Sequence, residues 1–186
     1  AFWYRAIVPV DGVGLPGLDW NRSYPVIYPK GGYVVMGEAG THVVFDAGPW
    51  GYLGIAAHGP ADALSFCLAV DGEWWLVDPG TYAYHSDPAW RSYCRGPAAH
   101  NTIRVNQEDQ SRIGGSFMWL KKANAWIDGL EKKEGIQIVK AHHDGYAHLG
   151  LVHRRELRLS VSGGQLDVVD TLQGNLDQKE FAEIHY

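Results

Sequence analysis

The sequence has few cysteines, no excess of positive charge and no long apolar run. Cys67 and Cys94 are its two cysteines, and neither belongs to a C-x-x-C pair or another metal-ligand spacing. Sixteen basic and 21 acidic residues give a net charge of -5, which argues against a general nucleic-acid binder. No apolar stretch is long enough to predict a membrane span, and no basic segment leads into an apolar one as in a signal peptide.

Long amphipathic helical patterns are also missing, and residues 86–93 offer at most a turn or two of helix. Short alternating apolar runs separated by glycine-bearing turns predict an all-β fold, an antiparallel double-sheet β-sandwich, in a single domain over residues 1–186. Glycines and prolines predict an irregular arm over residues 1–30. The predicted strands are residues 32–38, 41–48, 63–70, 73–77, 101–106, 117–129, 135–142, 151–161 and 165–172, with turn signals at Asp71-Gly72, Asp128-Gly129, Glu134-Gly135 and 162–164.

The segment 57–110 concentrates polar groups beside strand-forming runs and predicts a site built on a sheet. Asp78 before Pro-Gly is also typical of a turn, and a histidine at position 100 is also typical of a partly buried ring. The candidates are His58, Asp62, Asp78, His100 and Asn101, with Arg91 and Arg95 as positive charges.

Basic residues cluster between positions 91 and 122, which indicates either a patch for a carboxylated or sulfated ligand or a solvated surface. Four further histidines form no H-E-x-x-H pattern and are interpreted as surface or strand residues. The basic residues are Arg91, Arg95, Arg104, Arg112, Lys121 and Lys122, and the histidines are His142, His143, His148 and His153.

Three blocks follow in order: HGPADALSF from His58, VDPGTY from Val77, and WRSYCRGPAAHNT from Trp90. Together they resemble the heparinase II/III-like β-sandwich domain of bacterial polysaccharide lyases, in the subgroup associated with exopolysaccharide loci. The resemblance implies β-elimination of an acidic, uronate-containing polysaccharide in the cell envelope or periplasm. It also implies an N-terminal α/α toroid, which this chain lacks. The start at Ala1 and the strand-like end FAEIHY agree with a sandwich truncated at both ends.

The resemblance also implies residue roles. His58 corresponds to a catalytic histidine facing the cleft. Asp78 and His100 correspond to two ligands of a structural zinc, whereas the third ligand is replaced by Pro60, which has no donor atom. We therefore expect a metal-free site or much weakened zinc binding, unless His58 or Asp62, on the same face as Pro60 in an extended segment, takes the vacant position.

Three residues near these motifs are substrate-binding candidates. The guanidinium of Arg95 suits a uronate carboxylate, although a surface arginine paired with an acid is the alternative. Tyr82 either contacts sugar or packs on the sheet, and Asn101 follows the second zinc ligand. Two other interpretations of the chain stay open: a non-catalytic module that binds glycans or packs against a partner domain, and a cupin-like metal enzyme using His58, Asp78 and His100.

Overall fold

The computed structural model describes residues 23–38, 40–49, 56, 59–160, 164–174 and 181–186. Within these ranges the chain forms antiparallel strands and three short helices. The strands are β1 Val26–Tyr28, β2 Tyr33–Glu38, β3 Thr41–Asp46, β4 Phe66–Val70, β5 Glu73–Leu76, β6 Ile103–Val105, β7 Arg112–Gly115, β8 Met118–Lys121, β9 Ala125–Lys133, β10 Ile136–His143, β11 Leu151–Ser160, β12 Gln165–Gly174 and β13 Ala182–Ile184. The helices are α1 Pro88–Arg95 and two 3₁₀ turns, Pro97–Ala99 and Ala147–Leu149.

Two sheets dominate the fold. The first has the order β1-β2-β3-β4-β5 and the second the order β12-β11-β10-β9, so neighbouring strands follow one another along the chain. Strands β6 and β13 form one small ribbon, and β7 and β8 form another. Tight turns produce this order: Asp71-Gly72 joins β4 to β5 and Glu134-Gly135 joins β9 to β10, all four residues having positive φ, as two-residue hairpin turns require.

The second sheet corrects two predictions. Asp128-Gly129 is not a turn, because it lies inside β9 at a bulge where Lys140 pairs with Gly129 and Ala141 pairs with Ile127. The predicted strand 117–129 is interrupted at residues 122–124, where the Ala123 amide donates to Ser111 Oγ at 2.9 Å. Of the turn signal at 162–164, only Gly164 lies within the described residues.

The predicted irregular arm 1–30 also contains a strand. β1 pairs with β2 in the register Val26 to Val35, so ladder hydrogen bonds override the local breaker residues. Residues 1–22 lie outside the described ranges.

The two large sheets pack face to face. Their inner rows meet in one buried apolar cluster, which confirms the antiparallel β-sandwich. From the first sheet it includes Val34, Met36, Val43, Phe45 and Phe66, and from the second Val139, Ala141, Leu157 and Leu159.

Polar side chains also occupy the inner face of the second sheet. Four are fully buried or nearly so: Gln137 and His143 on β10, and His153 and Arg155 on β11. The two histidines are therefore strand residues, as predicted, but they face the core rather than solvent. His143, His153 and Arg155 lie toward the opposite end of the sheet from Gln137, and Arg155 Nη1 donates to Asn101 O at 2.6 Å, next to His100.

Helix α1 lies between the loop after β5 and the segment holding His100. Asp87 caps its first turn by accepting from the amides of Ala89 and Trp90 at 3.1 Å each. Arg91, Cys94 and Arg95 form its buried side. Both cysteines are free thiols. No helix in the described parts of the chain is long and apolar enough to cross a membrane.

Candidate functional site

Three candidate residues meet at the loops beside the first sheet. Asp62 precedes β4, Asp78 follows β5, and His100 follows the 3₁₀ turn after α1. One potential ligand atom from each lies within 4.8 Å of the others. Another candidate, His58, lies outside the described residues, although Ala56, Gly59 and Pro60 near it in the sequence are described.

Asp78 uses both carboxylate oxygens. Oδ1 accepts from the Gly80 amide at 2.7 Å, which forms the turn that the sequence indicates. Oδ2 lies 2.6 Å from Nδ1 of His100. Burial alone would raise the pKa of Asp78, but the hydrogen bond and positive charge of His100 hold that pKa below its ordinary value. One carboxylate thus stabilises a turn and faces the site.

His100 is almost completely buried, and its ring has fixed neighbours. Nε2 lies 2.9 Å from the carbonyl oxygen of Cys94, so a proton on Nε2 donates to that carbonyl. Burial alone would lower the pKa of His100, but the hydrogen bond to Asp78 and the charges of Asp78 and Asp62 raise it. Nδ1 is therefore the ring atom directed toward the carboxylates.

Two further carboxyl groups, those of Asp62 and Asp46, lie near Asp78 and His100 and interact with them electrostatically. Burial and the charges of Asp46 and Asp78 raise the pKa of Asp62. Burial also raises the pKa of Asp46, whose Oδ1 accepts from the Gly48 amide at 2.9 Å. Sequence reasoning did not select Asp46, because its position at the end of β3 gives no motif. The site thus holds three carboxyl groups against one imidazole.

Asn101 has a structural role, because its side chain binds backbone carbonyl groups. Its amide nitrogen donates to Phe66 O at 2.8 Å and to Val77 O at 3.0 Å, and the residue is buried. These bonds use both amide hydrogens to fasten the His100 segment to β4 and to the end of β5. Asn101 therefore positions His100 in this structure.

Arg95 is only 1% exposed, so it is not a surface residue, and no acid pairs with it among the residues that the structure describes. Its Nη1 donates to Gly115 O at 2.7 Å, and its guanidinium lies 4.3 Å from the Trp119 ring centroid. Trp119 in turn donates from Nε1 to Ala56 O and Gly59 O at 3.1 and 3.2 Å. Arg95 thus supports the ring that holds both sides of the segment containing His58.

Exposed rings form what we call the aromatic surface: Tyr82, Tyr84, Trp90, Tyr93 and Phe117. Tyr82 is 57% exposed, and its ring centroid lies 6.2 Å from that of Trp90. Trp90 and Tyr93 meet edge to face at 5.6 Å, and Tyr84 stacks on Phe117 at 5.6 Å. Trp90 and Tyr93 could have been selected from the sequence by their i, i+3 spacing. This spacing places them on the same side of a helix, away from the buried arginines of α1.

Arg91 lies beneath the aromatic surface and fixes its two loops. Nη1 donates to Thr81 O at 2.9 Å, and Nε and Nη2 donate to Ser116 O at 3.2 and 2.9 Å. Its guanidinium also lies 4.7 Å from the Tyr84 ring centroid. Arg91 therefore orders these loops and is not free to bind a ligand.

The structure divides the predicted basic cluster. Arg91 and Arg95 belong to the buried side of α1, whereas Arg104, Arg112 and Lys121 line a separate polar cavity of about 540 Å³. Two acids and a histidine share that cavity: Glu108, Asp109 and His148. Arg104 pairs with Asp109 at 3.0 Å, and His148 pairs with Glu108 at 2.6 Å. The cavity is thus a mixed-charge surface.

Comparison with known proteins agrees with this architecture. Residues 23–186 match the family model described as heparinase II/III-like, C-terminal. Similar solved structures include a heparinase III gene product (20% identity, TM-score 0.65, 82% of this chain and 22% of that chain) and a crystal structure of heparinase III (22%, 0.63, 81% and 22%). A third is heparan sulfate lyase HepC from Pedobacter heparinus (19%, 0.62, 80% and 22%).

A comparison with curated proteins gave no match. The structural similarity, at these identities, concerns the fold, and this chain spans about a fifth of the length of the solved chains it matches. The family model, in contrast, covers most of the chain and includes the segments with Asp62, Asp78 and His100. The chain therefore belongs to the heparinase II/III-like family and corresponds to its C-terminal β-sandwich domain.

Proposed function

We propose that this chain is the β-sandwich part of a polysaccharide lyase that cleaves an acidic, uronate-containing polysaccharide by β-elimination. Family membership supports the lyase class. The observation that carries the saccharide assignment is the aromatic surface, whose Tyr82 lies four residues after Asp78 and whose Tyr93 immediately precedes Cys94, the hydrogen-bond partner of His100. Action in the cell envelope or periplasm belongs to the same proposal.

The reaction needs three groups. A base removes the proton at C5 of the uronate, an acid protonates the departing oxygen at C4, and positive charge or hydrogen-bond donors stabilise the charge that develops on the carboxylate. We assign His58 to the first or second of these tasks. Asp78, His100 and Asn101 are occupied by bonds within the fold. The remaining groups would come from a toroid, so we expect the chain alone to be inactive.

We assign Arg95 a structural role at the proposed catalytic site. Because its side chain is buried, it does not present a guanidinium to a polymer in this structure. It instead stabilises Trp119, which holds the backbone on both sides of His58. Arg95 is therefore a positioning residue for the segment of the proposed catalytic histidine.

The aromatic surface suits a sugar chain. Tyrosine and tryptophan present broad apolar faces together with polar tips, and exposed apolar patches are typical of binding sites. Arg91 keeps the two loops ordered before a ligand arrives, which lowers the entropic cost of binding.

A non-catalytic glycan-binding or domain-packing module is the second candidate function. The observation in its favour is that Asp78, Asn101 and Arg95 are all engaged within the domain. Such a module would keep the aromatic surface but would not need His58.

The test uses the protein expressed from its complete gene. Uronate-containing polysaccharides are supplied, and the ultraviolet absorbance of the unsaturated product is followed. We expect His58→Ala to abolish product formation and Tyr82→Ala to raise KM more than it lowers kcat, whereas His148→Ala, at the separate polar cavity, leaves both unchanged. Absence of product across a broad panel would refute the lyase assignment, whereas full activity of His58→Ala would refute the catalytic role of His58. Glycan binding that is retained by His58→Ala without any turnover would support the module.

A further inference from the structure

We propose that the outer face of the second sheet carries a saccharide subsite for a neutral pyranose unit, formed by what we call the outer row: Trp126, His142 and Arg154. His142 on β10 pairs in register with Trp126 on β9 and with Arg154 on β11, so the three residues lie side by side across neighbouring strands. Ala125 and Ile127 pack against the core, so strand alternation turns Trp126 outward. The aromatic surface, in contrast, belongs to α1 and its flanking loops.

The indole of Trp126 is open to solvent. The residue is 46% exposed, and one face of its ring lies against the imidazole of His142, with 5.0 Å between ring centroids and 21° between ring planes. The exposed part is therefore the opposite face and the rim of the indole. An open, flat apolar face gains from contact with another flat apolar surface, and the C–H groups on one side of a pyranose ring provide such a surface.

The rest of this outer face has an ordinary explanation. Farther along the same strands, Lys140 lies 3.5 Å from Glu156, and Arg158 also pairs with Glu156. Such cross-strand and neighbouring ion pairs are typical of a solvated sheet face. The end of the sheet that holds the outer row differs, because there a large aromatic ring is exposed beside ordered polar groups.

A β-bulge places the carboxylate that orders the outer row. Asp128 is the extra residue at the bulge in β9, so no residue of β10 pairs with it. Bulges re-aim side chains and are common beside functional sites. Here Asp128 Oδ1 accepts from His142 Nδ1 at 2.7 Å, and Oδ2 accepts from Arg154 Nη1 at 2.9 Å. One carboxylate thus holds two members of the row.

A neighbouring amide completes this order. Arg154 Nε donates to Gln173 Oε1 on β12 at 2.8 Å, which fixes the other edge of the guanidinium. The side chains that meet the sugar are therefore held in place before it binds, so little rotamer entropy is lost on binding.

The outer row still has hydrogen-bonding groups to offer a ligand. In the described parts of the chain, Arg154 Nη2, the Gln173 amide nitrogen and the Trp126 indole nitrogen have no protein partner. The His142 ring donates from Nδ1, which leaves Nε2 as an acceptor. Sugar hydroxyl groups both donate and accept hydrogen bonds, and these atoms supply partners of both kinds.

Charge balance selects the kind of sugar. The Arg154 side chain is 43% exposed, but its guanidinium is already paired with the carboxylate of Asp128. A uronate or sulfate placed at this guanidinium would also be repelled by the carboxylate. The outer row is therefore suited to a neutral pyranose unit, and in a polymer of mixed composition it binds the uncharged units.

The first experiment is affinity gel electrophoresis of the protein expressed from its complete gene, in gels containing hydroxyethylcellulose, galactomannan or dextran. We expect at least one of these neutral polymers to retard the protein. Trp126→Ala should weaken that binding by at least about 10-fold, which corresponds to about 1.4 kcal/mol. Trp75→Ala is the matched control, because Trp75 is a 68% exposed tryptophan of the first sheet, and it should bind normally. Both variants are also made with Tyr82→Ala, so that the aromatic surface does not mask the effect.

The second experiment tests the charge balance with carboxymethylcellulose, an anionic polymer that contains no uronate. Asp128→Asn leaves Arg154 without its counter-charge, so the ratio of anionic to neutral polymer affinity should rise by about 2- to 5-fold, the size of one exposed ion pair. Asp167→Asn makes the same change in net charge on β12, at the other end of the sheet, and should leave the ratio unchanged.

Three outcomes overturn the proposal: no retardation by any of the neutral polymers, binding by Trp126→Ala equal to that of Trp75→Ala, or equal ratios in Asp128→Asn and Asp167→Asn. The melting temperature of each variant is measured as well. A less stable Trp126→Ala that binds normally would show that the indole only stabilises its stack with His142. Trp126→Phe replaces the alanine variant if that variant does not fold, and it should also bind more weakly. Because no turnover is measured, a failure here is distinguishable from a failure of the lyase assignment.

Discussion

At the scale of single residues, a buried chain of hydrogen bonds fixes the protonation of two core histidines. The Gly145 amide donates to His143 Nδ1 at 3.0 Å, so Nε2 carries the proton of that ring and donates to His153 Nδ1 at 2.9 Å. His153 Nε2 then donates to Asp170 at 2.7 Å. Neither ring has a free acceptor nitrogen, and both are neutral.

This arrangement predicts acid sensitivity. Burial, the largest effect, lowers the pKa of His143 and of His153 below the ordinary value of about 6.5. At these two rings the unfolded chain therefore binds more protons than the folded one, so their contribution to stability falls as the pH drops below about 6.5, by at most about 1.4 kcal/mol per pH unit for each ring.

The measurement is urea unfolding between about pH 7 and pH 5, around the pKa of a free histidine. As the pH falls over this range, the unfolding free energy of His143→Gln should change in a more stabilising direction than that of the unmodified protein, while His148→Gln, in which an exposed ring is replaced, should change as the unmodified protein does. Asp46, Asp62 and His100, whose pKa values are raised, oppose the trend in all three proteins. Equal slopes in all three would contradict the prediction.

Individual residues also show which parts of the site could not be predicted from the sequence. Asp78 and His100 could be selected from their motifs, and Asp62 from its spacing to Pro60. Asp46 and Trp119 could not, because they reach the site from β3 and β8 through contacts that no local pattern encodes. Alternation in the sequence does not distinguish the buried His153 and Arg155 from a solvent-facing polar row, because their inner position depends on contacts with Asp170 on the neighbouring strand.

At the scale of elements, α1 organises the aromatic surface, and its formation depends on one cap. Pro88 follows Asp87 at the first helical position, and the Asp87 carboxylate satisfies two amides of the first turn. The sequence allowed only a turn or two of helix here, because eight residues with two aromatics on the exposed side and two arginines on the buried side give a weak periodic signal.

Asp87→Ala should therefore lower the free energy of unfolding by about 1 kcal/mol, the usual cost of losing an N-cap, whereas Asp87→Ser should retain most of it. Chemical denaturation of both variants measures the difference. A change in Asp87→Ala no larger than that in Asp87→Ser would show that the cap does not stabilise α1.

The strands whose residues alternate between apolar and polar were predicted most accurately from the sequence. β2, β3, β10 and β11 fall within a residue or two of their predicted bounds because one face of each is apolar. The bulge at Asp128 and the short strand β1 were not predictable, because each depends on the register of the adjacent strand rather than on its own residues.

At the scale of the whole molecule, one side chain joins the two large sheets. Gln137 on β10 is completely buried, and its amide both accepts from Gly37 N at 3.1 Å and donates to Gly37 O at 3.0 Å. β1 begins at Val26, opposite Val35, so Gly37 lies beyond the end of the β1 ladder. The glutamine amide thus takes the place of the missing strand backbone.

Gln137→Leu should be strongly destabilising for this reason. It keeps the apolar volume but leaves the amide and the carbonyl of Gly37 buried without partners, at about 1–3 kcal/mol for each group. We expect the unfolding free energy to fall by at least about 2 kcal/mol, measured by urea denaturation. Gln165→Leu, at an exposed position of β12, is the matched control and should change stability by less than about 0.5 kcal/mol. If the two variants were equally stable, the sheets would be held together by the apolar cluster alone.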